Sequence, residues 1–322
     1  MDNISRFVYI KNKLKKNKLG KIIIKFYHYT IAIPLVWIYS LAFYFIEKKL
    51  KSVKFFDIET TFSILKSEKK SLCRFGDGEI SWIYKDSKGY FGQENSEELS
   101  IRLKDVFKSN HDLVLIGIPD FFGGMDQYSK KRIRSRNAHL FKYHKRWMEL
   151  IDVNYLYVDA LITRVYNGRK INDVEYLFRK WKDVWKDKDI IIIEGSQTRF
   201  GVGNDLLDNA NSVKRIIAPA ENAFGKYNEI YESSYEYFKE GIIFLISLGP
   251  TATVLAHDIG INGIQAIDIG HLDIEYEWYL SNSTNKQPVP GKYVNEAGGA
   301  PNNEMPEAVL KQYKKEIIKY VV

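Results

Sequence analysis

Cysteine is almost absent from this chain: Cys73 is the only one in 322 residues. No intramolecular disulfide is available, and with six histidines in all no thiolate or zinc-finger cluster can be assembled. A reducing, cytoplasmic setting is the expectation, and Cys73, inside the apolar run Ser71-Leu72-Cys73, reads as a small core residue. No Gly-Lys-Ser/Thr ending completes a Walker A loop, and no Gly-x-Gly-x-x-Gly follows a strand, so a dinucleotide cofactor is not expected. The glycine-rich loop that methyl transfer from S-adenosylmethionine would need is not evident either. No internal repeat is visible. The body of the chain also lacks net charge. Of 48 Lys/Arg and 40 Asp/Glu, residues 1–60 hold 12 and 4, which leaves 36 of each sign in the remainder and puts the whole +8 in the leader. A neutral body argues against a nucleic-acid partner.

Present instead is hydrophobic and aromatic content of 45% and 14%, enough to exclude a disordered chain and to build one large core or two modest ones. The leader concentrates it. Phe26–Ile46 carries no formal charge apart from His28, and as a helix it would be about 31 Å long, close to the apolar thickness of a bilayer. Tyr27, Tyr29, Tyr39 and Tyr44 suit an interface, and Pro34 would kink the helix. Arg6 and seven lysines precede the run; Lys48, Lys49, Lys51 and Lys54 follow it. Basic residues on both flanks favour a shallow or re-entrant helix on an anionic cytoplasmic face over a single span. A buried aromatic helix of a soluble fold is the alternative. A signal peptide fits poorly, since the run is long and no small-residue cleavage site follows.

Beyond Lys54 the pattern alternates. Apolar runs at Leu113–Ile118, Tyr155–Ile162, Ile190–Ile193, Val213–Ile217, Ile242–Leu248 and Ile264–Ile267 read as strands. Helical spacing covers Glu97–Lys108, Tyr128–Leu150, Val174–Trp185, Asn204–Ala210, Tyr227–Lys239 and Thr251–Ile259. The expectation is an α/β fold: a Rossmann-like, mostly parallel sheet with helices on both faces, plus the N-terminal apolar helix. Ligands would bind beyond the carboxyl ends of the strands. Ser281–Asn303 reads as a loop and Glu304–Val322 as a final helix, giving a leader 1–54, a body 55–303 and a tail 304–322. In Tyr128–Ile151, eight Lys/Arg face only Glu149; this reads as a solvated helix face, with a strip for anionic ligands as the alternative.

The chemistry-bearing residues sit at strand ends. After Ser71-Leu72-Cys73 comes Arg74-Phe75-Gly76-Asp77-Gly78-Glu79. Asp77 and Glu79 can both serve one hard divalent cation, the glycines let a phosphate approach the backbone, and Arg74 offers a fork-shaped donor; an ordinary exposed turn is the alternative. Glu194-Gly195 and Gly249-Pro250-Thr251 follow two other strands and offer backbone N–H groups or a hydroxyl to a diphosphate, or simple βα turn chemistry. In extended form His271, Asp273 and Glu275 would share one face, near a general base's task, with Trp278 available to stack on a sugar ring.

Taken together these residues resemble the GT-D fold glycosyltransferases, a bacterial family with an Asp-x-Glu signature that was first catalogued as a domain of unknown function. The resemblance runs from Ser71–Glu79 through Gly117-Ile118-Pro119-Asp120, Thr163-Arg164, Glu194-Gly195, Pro219 with Asn222-Ala223-Phe224, Leu248–Ala252 and Asp268–His271 to Gly291–Glu296. It implies transfer of a hexose from a nucleotide sugar, usually a UDP-hexose, with Mn²⁺ or Mg²⁺ on the diphosphate. Asp77 and Glu79 would hold the metal. Arg74, Gly76 and Gly78 would lie near the donor, joined by Arg164, Glu194, Gly195, Asn222, Gly249, Pro250 and Thr251. Asp273 and His271, with Glu275 behind them, are the residues expected to assist the acceptor. The implied acceptor is a glycan or polyprenyl-linked saccharide of surface-polysaccharide or glycoconjugate synthesis, met at the inner face of the cell membrane. A metal-dependent phosphohydrolase or nucleotidyltransferase on the same carboxylate pair, and a non-catalytic membrane-associated assembly protein, are the competing readings.

Overall fold

The apolar runs become strands whose successive side chains enter two different cores. A computed structural model describes residues 18–48, 50, 52–122, 125–170, 173–297 and 305–321. Of the leader's cations, Arg6, Lys11, Lys13, Lys15, Lys16, Lys49 and Lys51 lie outside the described residues, as does Glu304, the expected start of the last helix.

In chain order the elements are helix α1 (Lys18–Glu47), strand β1 (Lys54–Phe55), α2 (Ile58–Ser63), β2 (Ser71–Arg74), α3 (Asp77–Ile83), α4 (Glu97–Phe107), β3 (Val114–Ile118) and α5 (Lys130–Leu150). There follow β4 (Leu156–Asp159), α6 (Val174–Trp185), β5 (Asp189–Gly195), β6 (Ser212–Ala218), α7 (Tyr227–Tyr235), β7 (Ile242–Ser247) and α8 (Pro250–Ile261). The chain ends with β8 (Gln265–Asp268), α9 (Leu272–Leu280), α10 (Glu307–Glu316) and β9 (Ile317–Tyr320). The nine strands form one sheet in the order β1-β4-β3-β2-β8-β7-β5-β6-β9, and every pairing in it is parallel.

A sheet buried on both faces needs apolar side chains at odd and even positions alike. Ile191 and Ile193 of β5, Phe244 and Ile246 of β7, and Cys73 of β2 pack with α4, α5 and α8. Their neighbours Ile190, Ile192, Ile243, Leu245 and Leu72 pack on the other face with Leu177, Phe178, Trp181 and Trp185 of α6. Cys73 is fully buried, and burial pushes its thiol up. Side-chain oxygens of Asp57, Ser96 and Ser129 cap α2, α4 and α5 by accepting from Thr60, Leu99 and Arg132 backbone N–H groups.

Several expectations differ from the structure: Tyr155–Ile162 is strand only over Leu156–Asp159, followed by a 3₁₀ turn at Ala160–Thr163. Asn204–Ala210 forms turns rather than a helix, with Leu206 and Leu207 buried. The tail is not all helix: after α10, the β-branched pair Ile317-Ile318 joins the edge of the sheet beside β6. The Asp-Gly-Glu stretch is not a free turn but the opening of α3. His271–Trp278, expected in extended form, is α9 and its N-cap.

α1 is continuous through Pro34. The five residues His28–Ala32 widen into a π turn, with Ile33 N–H donating to His28 O five residues back; this local change accommodates a ring that lacks an N–H. One side of α1 lies on α5. Tyr39 stacks on Phe141 at 5.3 Å, and Arg134, Lys142 and Arg136 sit over the rings of Trp37, Tyr39 and Phe43 at 4.1, 4.6 and 4.8 Å.

The far half of the sheet is tied by a buried ion network. Arg215 of β6 donates to Glu194 of β5 (2.8 Å), to Glu316 of α10 (2.7 Å) and to the Phe200 carbonyl (2.8 Å). Arg215→Met leaves Glu194, wholly buried, without its counter-charge. Thermal and urea unfolding are expected to show a loss of about 3–5 kcal/mol, part of it recovered when Glu194→Gln is added.

Candidate active site

The carboxyl ends of β2 through β8 converge on a cleft of about 1230 Å³. That is room for a nucleotide sugar with space to spare, since small-molecule pockets run to roughly 1,000 Å³. Its floor is organised by Arg74. Nε donates to Asp268 O (2.6 Å), Nη2 to Asp268 Oδ1 (2.9 Å), and Nη1 to Ala160 O (3.2 Å) and Thr163 Oγ1 (2.5 Å). The guanidinium therefore joins the ends of β2, β4 and β8 instead of standing free as a phosphate fork. Gly270 is required beside it: φ is +53°, and a Cβ there would overlap Arg74 Nη2.

Asp77 and Glu79 occupy the first turn of α3 and line the cleft. Asp77 is exposed, and no ion pair engages it among the described residues. Glu79 is half-buried, and its Oε2 accepts from Gly76 N–H at 2.7 Å. Burial, and then the Asp268 carboxylate, push Glu79 up to about 7. Gly76 and Gly78 keep this turn bare: added Cβ atoms would meet Glu79 Oε2 at 3.2 Å and the Trp82 ring at 3.3 Å. Among the described residues no group of three or more His, Cys, Asp or Glu side chains is set to cage a metal. Two carboxylates are nevertheless the donor set that suits Mg²⁺ or Mn²⁺ arriving on a diphosphate and taking its other ligands from phosphate and water. A carboxyl raised by a neighbouring carboxylate is one that a cation would ionise.

Another wall is the basic helix α5, of which Lys131, Arg132, Ser135, Arg136 and His139 reach the cleft. Arg132 is half-buried and has no carboxylate within 4 Å among the described residues; burial and the nearby Arg164 make its charge costly. Arg136 is committed to the Phe121 carbonyl. His139 Nε2 accepts from Trp147 Nε1 at 2.8 Å. Tyr90, Phe91 and Gln93 close another side. Asn222 holds that loop by accepting from Gln93 Nε2 (2.8 Å) and donating its own N–H to Phe91 O (3.0 Å).

The residues expected to assist the acceptor are engaged elsewhere. Asp273 lines the cleft but is only 2% exposed, and both its oxygens accept from Lys292 Nζ (2.9 and 2.7 Å), with Asn204 Nδ2 adding a third bond at 2.8 Å. Glu275 is buried under the backbone N–H groups of Tyr166 (3.1 Å) and Asn167 (2.5 Å), with Arg164 at 3.5 Å, and it does not line the cleft. His271 does reach the cleft, but burial and Arg164, whose Nη2 is 3.3 Å from Nδ1, bring it down to about 3. It is a neutral imidazole and a poor proton acceptor. Their geometry is helical because α9 continues directly from the β8 end, so 271, 273 and 275 cannot share a face. Trp278 is buried with Nε1 bonded to Gln287 O at 2.9 Å, so it cannot stack on a sugar.

The donor residues divide similarly. Arg164, Gly195, Gly249 and Pro250 line the cleft, whereas Glu194, Asn222 and Thr251 lie behind it. Glu194 belongs to the Arg215 network, Asn222 clamps the aromatic loop, and Thr251 is fully buried with no partner for Oγ1. His139, Tyr90 and Phe91 escaped the sequence reading, and Arg132 entered it only within the basic run of Tyr128–Ile151. Only the basic run on α5 signalled one of them, and its solvated-face reading was incomplete.

A family profile described as "Glycosyltransferase GT-D fold" matches residues 72–297. Two similar proteins are a probable glycosyl transferase Gly of Streptococcus gordonii, 35% identical over 253 residues, and the glycosyltransferase GlyD of Streptococcus pneumoniae serotype 4, 34% identical over 254. Each alignment covers 78% of this chain but only 36% and 31% of the relative, so the chain spans about a third of their length. Among solved structures, a domain of unknown function 1792 with "a distinct glycosyltransferase fold" superposes with a TM-score of 0.79 at 33% identity, covering 88% of this chain and 100% of that one. A glycosyltransferase of the same domain from Streptococcus sanguinis gives 0.77 at 31% identity, covering 84% and 100%.

One site residue provides a pH test. Burial opposes ionisation of Glu296, but Arg164 (3.0 Å), His271 and Lys286 outweigh it and bring the carboxyl from 4.5 down to about 2. A depressed carboxyl stabilises the fold fully above the unfolded value and loses that contribution as pH falls through the folded one. The melting-temperature gap between wild type and Glu296→Gln is expected to be largest above pH 4.5 and to shrink as pH falls toward 2.

Proposed function

The chain belongs to the GT-D glycosyltransferase family, and from that premise we propose that it transfers a hexose from a nucleotide sugar, a UDP-hexose first among donors, to a glycan or polyprenyl-linked acceptor of a surface polysaccharide or glycoconjugate. The observation that carries the reading is the Asp77–Glu79 pair, one carboxylate free and one raised to about 7, at the head of α3 on a cleft formed by the strand ends.

In this reading Asp77 and Glu79 hold Mn²⁺ or Mg²⁺, which when bound offsets the negative charge that grows on the departing diphosphate. Arg132, without a carboxylate of its own within 4 Å among the described residues, adds a guanidinium from the α5 wall. Gly249, where a Cβ would meet the Phe91 ring at 3.1 Å, keeps the backbone close to the aromatic loop, whose rings suit a base or sugar face. His271, neutral across the working pH range, orients by hydrogen bonding rather than by taking a proton. Asp273 and Glu275 shape the site through Lys292 and Arg164 and take no part in proton transfer.

The test is nucleotide release across UDP-, GDP- and dTDP-hexoses with and without Mn²⁺. Asp77→Asn with Glu79→Gln is expected to cut metal-dependent release by about 10²-fold or more while thermal unfolding stays cooperative. Unchanged release in the double variant overturns the reading, and so does free phosphate or nucleotidyl transfer as the product.

A further inference from the structure

We propose that α1 docks this enzyme on an acidic lipid bilayer, lying in the headgroup region rather than crossing it. The helix presents two faces with opposite fates. Tyr39 and Phe43 turn toward α5, whereas Ile38, Leu41 and Phe45, three and four residues apart, are 57%, 70% and 80% exposed. Leu19, Ile22, Ile23 and Phe26 continue an exposed apolar strip into the first turns, although a folded protein ordinarily covers such a strip. Cations border it. Lys18, Lys21 and Lys25 recur along one edge of the first turns and form no ion pairs among the described residues. Lys142 and Arg134 of α5 sit over rings of α1, and Lys145 is exposed nearby along the same helix. An apolar strip edged by lysines is complementary to acyl chains below anionic headgroups.

The choice between lying and spanning follows from the docked side. At 30 residues α1 is long enough to cross a bilayer. Crossing would either tear it from α5 or draw Arg134, Arg136 and Lys142 into hydrocarbon along with it. Lying flat keeps every cation–ring contact and wets every lysine. Because α5 carries α1 and also walls the cleft through Arg132 and His139, the cleft then stands about one helix diameter, roughly 10 Å, from the leaflet. The consequence that the acceptor is lipid-linked rests on the glycosyl-transfer reading; the docking itself does not.

Flotation of the full chain, without metal, donor or acceptor, on phosphatidylcholine vesicles with and without phosphatidylglycerol tests it. Binding is expected on the acidic vesicles and to weaken with salt. Lys18→Gln/Lys21→Gln/Lys25→Gln should lower the acidic-vesicle partition coefficient by about 10²-fold. Ile38→Gln/Leu41→Gln/Phe45→Gln, all on the exposed side, should abolish flotation while circular dichroism and the melting temperature hold. Failure of wild type to float, equal flotation on neutral vesicles, or flotation of the Ile38/Leu41/Phe45 variant like wild type overturns the proposal. So does a solution dimer that this variant dissociates, which would assign the strip to a second copy of the chain. Nucleotide release is read separately, so loss of turnover with intact flotation counts against the glycosyl-transfer reading alone.

Discussion

The cleft depends on one ion pair, Arg74 with Asp268. A parallel sheet leaves its strand ends as separate loops, each free to drift unless something spans them. Arg74 leaves β2 and bonds the end of β8 twice while also holding the turn after β4, at 14% exposure against 5% for its partner. The second oxygen of Asp268 accepts from Thr253 Oγ1 of α8 at 3.1 Å, and that hydroxyl lies 3.0 Å from the Arg74 carbonyl. A charged pair so enclosed costs desolvation and returns it only through complete bonding. Here the bonding is nearly complete, and the result is a fixed floor from which Gly76 and α3 start. After burial, which is the larger cause, the same Asp268 also raises Glu79, so the device that positions the carboxylate pair makes one of the two hold its proton more tightly.

Carboxylates in this protein sort by what surrounds them rather than by type. Asp273, at the cleft lining, is held by Lys292 and Asn204; Glu275, off the cleft, takes two backbone N–H groups on Oε2 and has Arg164 3.5 Å from Oε1, which has no hydrogen-bond partner among the described residues. They are the struts that hold the 284–297 segment and the turn after Arg164 against α9. Asp77, by contrast, has water on one side and the cleft on the other. A carboxylate left open to the cleft differs in kind from one held by fixed cations and N–H groups.

That distinction is why the fold was far more legible than the site. Strands such as Ile190–Ile193 and Ile242–Leu248 announce themselves because a two-sided burial requirement writes an unbroken apolar run, and the all-parallel sheet follows from their alternation with helices. The Asp77–Glu79 pair stood out because two carboxylates and two glycines sit within four residues. The stretch 271–278 misled because alternating polar residues have the same appearance on a strand edge and at the start of a buried helix whose charges are matched from afar. Lys292 and Asn204 are distant in sequence from Asp273, and nothing local marks them as its partners. Tyr90 and Phe91 were invisible for the same reason: their place over the cleft is set by Asn222, more than a hundred residues on. The edge strand β9 was hidden because a short strand borrows its identity from the neighbour it pairs with.

Helix α5 shows how a single feature of composition can serve two ends at once. Its run of Lys and Arg looks like a solvated face, and on a lone helix it would be one. In the folded chain Arg134, Arg136 and Lys142 lie over aromatic rings of α1, where a cation over a π face retains much of its solvation from the ring. Arg132 and Lys131 turn the other way, toward the cleft. The helix can face both directions because 3.6 residues per turn distribute a dense basic run around the axis. Helix α1 and one wall of the cleft are thereby joined through one rigid rod, with Arg136 bonded to the Phe121 loop at one side and packed on Phe43 at the other. On the proposed reading, that rod is what relates the leaflet to the cleft: it holds the cleft at a constant height while the sheet behind it supplies the chemistry.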